Sequence, residues 1–264
     1  MVMRMLKLTI VTVTYNDFQS LVRTTKSIED YLDLNPVYRD SIEHVVVDGN
    51  SQDETLNFLE TLKTSTKRSF ISESDRSIYD AMNKGIKIAK GKFIVFLNAG
   101  DEIFKGFLLE NLFHAFHELE NDKKIAGIAY SAIMRFKSRD IIVKARLVDR
   151  LRPRMPTIHQ SIFYKKEVLD KYPYNINYKI CGDYDSCLKI FTSGYYFEFS
   201  QDIFSVFYAG GASSQNPFKL YKESILATKL HINPPLLLLC WIKFRLILSL
   251  ILMRTLLGIF KTCA

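Results

Sequence analysis

The chain has 264 residues, 48% of them hydrophobic, which supports a real core in one large α/β domain or a domain plus an appendage. Its formal charge of +8 admits a phosphorylated ligand, an anionic membrane surface or nucleic acid as partner and does not choose among them. Four cysteines, at 181, 187, 240 and 263, form no CxxC pair and have no histidine at ligand spacing, so neither zinc nor a disulfide framework is expected and a reducing, cytoplasmic setting fits.

In chain order, LTIVTVT (8–14), HVVVD (44–48) and KFIVFLN (92–98) have the length and β-branched or aromatic content of strands buried on both faces. Helical patterns separate them. Asp17 is placed to cap a helix bearing Phe18, Leu21, Val22, Thr25, Ile28 and Leu32 on one face, and Asp53 a second bearing Leu56, Leu59 and Leu62. In SIYDAMNKGIKIAKG (77–91), Ile78, Ala81, Met82, Ile86 and Ala89 share one side and Asp80, Asn83, Lys84 and Lys87 the other. Asp75 and Arg76 precede that helix at its positive end, where phosphate oxygens are favoured. The alternation predicts an α/β fold with a mostly parallel central sheet flanked by helices and right-handed crossovers.

Beyond residue 120 the pattern is more mixed, with strand-like pieces at 125–136 and 140–148 and a basic, proline-punctuated loop at 149–161. A helix is expected from Asp183 to about Thr192, then strands at 195–200 and 203–208. The expected division is a domain over 1–217, with a nucleotide-binding half (1–120) and an acceptor half (121–217), followed by a helical segment over 218–264. Within that segment, 234–261 is apolar nearly all round, but Lys243, Arg245 and Arg254 interrupt it before a spanning length is reached. It reads either as a helix in the membrane interface with snorkelling basic side chains or as a buried core or oligomer helix. The first reading makes a membrane surface a partner and places the chain peripherally on the inner face of the cell membrane. A homo-oligomer stays open. No concentrated basic and aromatic motif points to nucleic acid, and TYNDF stands where a GxGxxG would follow the first strand of a dinucleotide oxidoreductase.

Several strand exits carry carboxylates. FIVFLNAGDEIF (93–104) breaks into Asn98, Gly100, Asp101 and Glu102, which reads as a plain turn or as a cation site at the C-terminal sheet edge. Asp48 closes its strand and can face donors that an apolar slot leaves unpaired, or make an Asx turn into GNS. Asp183, in CGDYDSCLK, is a candidate base or a helix cap, and Asp185, two residues on, points elsewhere and serves acceptor or structure. Gly210 and Gly211 suit a closing loop or a simple turn.

Taken together, IVTVTYND, VVVDGNSQDET, SESDRSIYDAMNKGIKIAKGKFIVFLNAGD, MPTIHQSIFYKKEVL and CGDYDSCLKI resemble the family 2 glycosyltransferases of type A fold, especially bacterial enzymes that build surface polysaccharides of the colanic-acid type. The likeness covers residues 7 to about 215. It implies an inverting transfer of a sugar from a nucleotide diphosphate sugar to a hydroxyl of a saccharide or lipid-linked saccharide acceptor. By resemblance Thr12, Tyr15 and Asp48 contact the nucleoside, Asp101 is the metal ligand for a divalent cation, Mg or Mn, and Asp183 is the base. Asn98 and Gly100 stand where the family often has acids, and Asn98 can coordinate through its carbonyl oxygen. Met82 replaces a common arginine, so phosphate contact passes to Arg76 or Lys84, beside Asn83. His159 and Gln160 match a segment near acceptor and diphosphate. The thinned acidic motif also admits a catalytically idle sugar-nucleotide or membrane-binding module.

Overall fold

The computed structural model describes residues 6–62, 67–148, 154–211, 215–233 and 244. Its strands are β1 (Leu8–Thr14), β2 (Ile42–Asp48), β3 (Arg68–Ser72), β4 (Phe93–Phe96), β5 (Glu102–Ile103), β6 (Ile125–Arg135), β7 (Asp140–Val143), β8 (Ile162–Lys165) and β9 (Tyr196–Tyr208). The helices are α1 (Phe18–Leu34), α2 (Thr55–Thr61), α3 (Ile78–Ile88), α4 (Leu109–Leu119), α5 (Lys166–Lys171), α6 (Gly182–Thr192) and α7 (Pro217–Ile232). All strands join one sheet in the order β3-β2-β1-β4-β8-β6-β9-β5, with β7 beside β6.

The expectation of a mostly parallel sheet needs correcting. β3, β2, β1 and β4 are parallel neighbours, as is β9 to β6, but β8 runs antiparallel to β4 and to β6, β7 to β6, and β5 to β9. Short connections such as the turn between Arg135 and Asp140 leave no room for the crossover that parallel neighbours need. The sheet is therefore mixed, and it runs unbroken from the 1–120 half into the next. The two strand pieces at 195–200 and 203–208 are one strand, β9, with a register shift where Tyr130 and Ser131 face Ser200 and Ile203. Of 140–148, only Asp140–Val143 pairs.

Burial on both faces explains the unbroken apolar runs. Val11, Val13, Val45, Val47 and Phe96 pack toward α3 and α6, while Leu8, Ile10, Phe93 and Val95 pack toward α1 and α4. Gly85 lets α3 press on β1, since a Cβ there would stand 2.5 Å from Val11 Cγ1. Asp17 does not cap α1 with its side chain. Asp53 does that work instead: its carboxylate accepts from Phe18 N at 3.0 Å and Thr55 N at 3.1 Å, serving two helix starts at once.

The apolar segment 234–261 lies outside the described residues, apart from Phe244. Among the described residues, no helix is long and apolar enough to cross a membrane.

Candidate active site

Two cavities meet at the C-terminal edge of β1, β2 and β4, and Ile78 borders both. Its 42% exposure departs from the buried face assigned to it by periodicity: at the first turn of α3 it looks into the cleft, and Tyr79 takes the buried place. The smaller cavity, about 490 Å³, is walled by Thr14, Tyr15, Gly49, Ser74, Asp75 and Ser77. Its rim is made by two strand exits in which Asn16 and Asn50 take left-handed backbone. The exits are bonded together: Asn16 N donates to Ser51 Oγ at 2.7 Å, and Gln52 N to Asn16 Oδ1 at 2.8 Å. Gly49 leaves the floor open, because a Cβ there would come within 3.1 Å of both Tyr15 and Asp75.

The residues assigned to a nucleoside divide here. Tyr15 is 64% exposed over this slot. Asp48 lies beneath it, fully buried, with its carboxylate accepting from Ser51 N at 3.1 Å, Ser51 Oγ at 2.5 Å and Ser72 Oγ at 2.6 Å. Thr12 is inside the sheet, donating to Leu97 O at 2.8 Å and lying 2.9 Å from His44 Nε2. Asp75 pairs with Lys84 at 2.6 Å, yet burial raises its carboxyl above the ordinary range against that pull. Lys84 also donates to Ser74 O at 2.9 Å, fastening the loop that walls the slot. Arg76 is exposed and pairs with Asp80 at 3.4 Å. Asn83 faces away from both cavities: it holds the backbone of Tyr174 twice, through O and N, at 2.9 Å each.

The larger cavity, about 700 Å³, lies within the ~300–1,000 Å³ typical of ligand sites. The break after β4 shapes one wall. Gly100, at φ +99°, takes backbone that favours glycine, and its N–H bonds to Thr24 Oγ1 at 2.9 Å and Ser20 O at 3.1 Å. Asp101 N closes on Asn98 O at 3.0 Å, so turn and site are the same feature. Asp101 is 5% exposed, and burial pushes its carboxyl up to about 7, against the Gln160 amide that donates to Oδ2 at 2.9 Å.

Asp183 lines the same cavity from the first turn of α6. Its Oδ1 accepts from Tyr184 N at 2.9 Å and Tyr79 OH at 3.2 Å, leaving Oδ2 without a partner among the described residues. Burial, aided by Asp183, raises the Tyr79 phenol well above its ordinary value, which keeps it a donor. His159 stacks on Phe96 with centroids 5.0 Å apart, and neither ring nitrogen has a hydrogen-bond partner among the described residues. Burial lowers the His159 imidazole toward its neutral form, with Asp183 pulling the other way. Asp185 points away and pairs with His231 at 2.8 Å. Among the described residues, nothing lies within 4 Å of a Cβ added at Gly210 or Gly211, and Gly211 borders the cavity.

Among the described residues no three acidic, histidine or cysteine side chains stand together as a ready metal cage. The oxygens of Asp101 and Asn98 nevertheless suit a hard divalent cation. Asn98 Oδ1 is buried without a partner among the described residues, burial raises the Asp101 carboxyl, and both residues line the cavity. Magnesium-like ions commonly take one or two carboxylates and complete their shell from phosphate and water. Residues that the sequence reading missed include Tyr79, Arg23 and Tyr208; the Arg23 guanidinium lies 4.9 Å from the Tyr208 ring centre at the cavity wall. Nothing local marks Arg23, which is one of several polar residues on the outer face of α1 in the helical pattern.

Residues 9–182 match the family model described as Glycosyl transferase family 2. A PGL/p-HBAD biosynthesis glycosyltransferase of Mycobacterium bovis is 29% identical over 154 residues, covering 57% of this chain and 59% of that one. An uncharacterized glycosyltransferase of Mycobacterium tuberculosis is 37% identical over 92 residues, 35% of this chain and 33% of the relative. The match thus spans less than two thirds of these relatives' length. Among solved structures, S. aureus TarS 1-349 in complex with UDP superposes with a TM-score of 0.65 at 18% identity, covering 85% of this chain and 65% of that chain. Mannosyltransferase PcManGT from Pyrobaculum calidifontis, in complex with GDP-Man and Mn2+, gives 0.66 at 16% identity, covering 98% and 76%. At such identities the likeness is one of fold: a single α/β nucleotide-sugar transferase fold with a mixed sheet.

Proposed function

Because the chain belongs to glycosyl transferase family 2, we propose that it moves one sugar from a nucleotide diphosphate sugar to an acceptor hydroxyl, with inversion at the anomeric carbon. One observation carries this reading: Asp101 and Asp183, from distant parts of the chain, line one cavity, and that cavity adjoins a slot at Ile78. The nucleoside lies in the slot against Tyr15 and Gly49, and the sugar reaches past Ile78 into the larger space. Asp48 acts from below by holding Ser51 and Ser72, and Thr12 by bracing the strand; Asp75 and Lys84 fix the loop around the donor, Asn83 holds the Tyr174 backbone on the Asp183 side, and Arg76 stands at the rim for phosphate.

Asp183 takes the acceptor's proton on its unpaired Oδ2 as the acceptor oxygen bonds to the anomeric carbon and the bond to the leaving phosphate oxygen breaks. Tyr79 and the Tyr184 N–H orient that carboxylate through Oδ1. His159 and Gln160 line the acceptor side, and Gln160 also steadies Asp101. Asp101 and Asn98 would hold a divalent cation, Mg or Mn, which when bound supplies charge neutralisation for the departing diphosphate. PcManGT in complex with GDP-Man and Mn2+ supports that assignment by fold analogy.

A lipid-linked saccharide at the inner membrane face is the acceptor we favour. Met134, Met155, Ile158, Phe207 and Leu220 give the larger cavity an apolar wall, and the basic, apolar 234–261 segment suits a membrane surface. The test is donor turnover. Purified protein is screened against nucleotide sugars with Mg or Mn for thermal stabilisation, and the donor found is then used for transfer. A β-linked product from an α-linked donor is expected. Binding without transfer or hydrolysis of any nucleotide sugar would favour a catalytically idle module.

A further inference from the structure

The segment that carries Asp183 is tied to one face of α7. The Glu223 carboxylate accepts from three successive backbone N–H groups, those of Lys179 at 3.1 Å, Ile180 at 2.8 Å and Cys181 at 3.0 Å. One turn on, Thr228 Oγ1 lies 2.9 Å from Tyr184 OH, and a turn further His231 Nε2 lies 2.8 Å from Asp185 Oδ1. Positions 220, 224, 228 and 231 recur at helical spacing, so a single face of α7 runs along the start of α6. From the other side, the single Tyr79 hydroxyl proton is shared between Ile180 O at 2.6 Å and Asp183 Oδ1 at 3.2 Å, and glycine is needed at 182 because a Cβ there would stand 2.7 Å from the Tyr79 ring. The segment is held between α3 and α7.

Three N–H groups converging on one point need an acceptor with several lone pairs and no proton of its own. An ionised carboxylate meets that need, whereas a hydroxyl or amide brings a competing donor. The same N–H groups lie just before α6, where unpaired amides and the helix dipole favour negative charge. No described residue of α7 lines the donor slot. The residues that Glu223 fastens are walls of the larger cavity, and the fixed backbone leads within two residues to Asp183. A displacement of about 1 Å at a reacting group is enough to cost a large part of a rate.

We propose that Glu223 is a positioning residue for transfer: its carboxylate fixes the backbone of Lys179, Ile180 and Cys181 and thereby sets where the Asp183 carboxylate stands in the cavity. This rests on Asp183 being the base. His231 acts beside it as a second tether, through Asp185.

Glu223→Gln is the test, in the full chain, with turnover expressed per nucleotide-binding site. Turnover falls by about 10- to 100-fold while affinity for the free nucleotide, UDP or GDP, stays unchanged, because the slot is lined by other elements. Amide hydrogen exchange at 179–181 speeds up. Placed on Asp183→Asn, the same change costs nothing further, the non-additivity expected of a residue acting through another. A purely structural role would lower the number of binding sites and leave turnover per site alone. Wild-type turnover by Glu223→Gln beside an inactive Asp183→Asn overturns this inference only. Normal transfer by Asp183→Asn brings down the base assignment, and this inference with it. Should Glu223→Gln not fold, Glu223→Asp keeps the charge but withdraws it by one methylene; turnover intermediate between wild type and Asp183→Asn is expected, and wild-type turnover overturns the proposal.

Discussion

The two halves of the cleft are built by different means. The donor slot is assembled from strand exits that follow directly on β1 and β2 and from the loop before α3, with bonds between neighbouring turns such as Asn16 to Ser51 and Gln52. The Asp183 side is assembled from side chains that grip backbone far away in sequence: Tyr79 on Ile180, Asn83 on Tyr174, Glu223 on Lys179 to Cys181. The first half therefore owes its shape to local chain geometry, and the second to a few specific clamps. Loss of one clamp should move chemistry more than binding, whereas loss of a turn bond should spread over a whole helix start.

Asp183→Asn is the sharpest probe of that contrast. Transfer should drop by roughly 10²- to 10⁴-fold, the span of general-base contributions, while calorimetric affinity for the donor nucleotide stays near wild type. Weakened nucleotide binding would mean that the two halves are not separable.

Asp101 stands on the boundary between the halves, and its response is to pH. Burial lifts its carboxyl to about 7 in the folded chain, above the ordinary unfolded value. Between those values the folded state binds more protons, so this contribution to stability is full at low pH and fades as pH rises through about 7. A divalent cation competes for the same oxygens. Heat stabilisation by Mn with UDP or GDP should grow from roughly pH 6 to 8 in wild type, bracketing that titration, and stay flat in Asp101→Asn. A flat wild-type response would remove Asp101 from the cation site.

Asn83→Ala should leave two backbone groups of Tyr174 without their partner and lower stability by about 1–3 kcal/mol in urea unfolding. Nucleotide affinity should be nearly unchanged, and a large loss of affinity would return Asn83 to the donor site. The smallest effect is expected for Asp53→Ala. It removes an exposed carboxylate that caps both α1 and α2, at about 1 kcal/mol, with protection of the Phe18 and Thr55 amides falling together.

Much of the fold of residues 1–120 was legible because its signals are local. Apolar runs of strand length, capping acids and the Asn, Gly and Asp exits each encode their own geometry, and Gly100 makes the FLNAGD turn the mount for Asp101. Where local signals mislead, neighbours decide: Asp17 stands at the start of α1, yet Asp53 supplies its bond, because the exits of β1 and β2 lie side by side. The parallel pattern failed at β8, a four-residue strand, IFYK, too short to carry a direction of its own; its antiparallel course is fixed by pairing with β4 and β6, which no window of sequence contains. Tyr79, Arg23 and Glu223 were invisible for a related reason. Each is ordinary on its own helix and acquires meaning only from what lies opposite.

The pairing of Glu102 and Ile103 with Val206 and Ser205 closes a loop of about a hundred residues, a slow kind of contact to form. On a ribosome, the parallel strands around Tyr15 and Asp75 emerge complete long before β9 exists, and α7 emerges later still. On the proposed function, a nascent chain thus acquires the elements assigned to nucleotide capture well ahead of those assigned to transfer. Transfer by chains stalled before residue 217 would contradict that order.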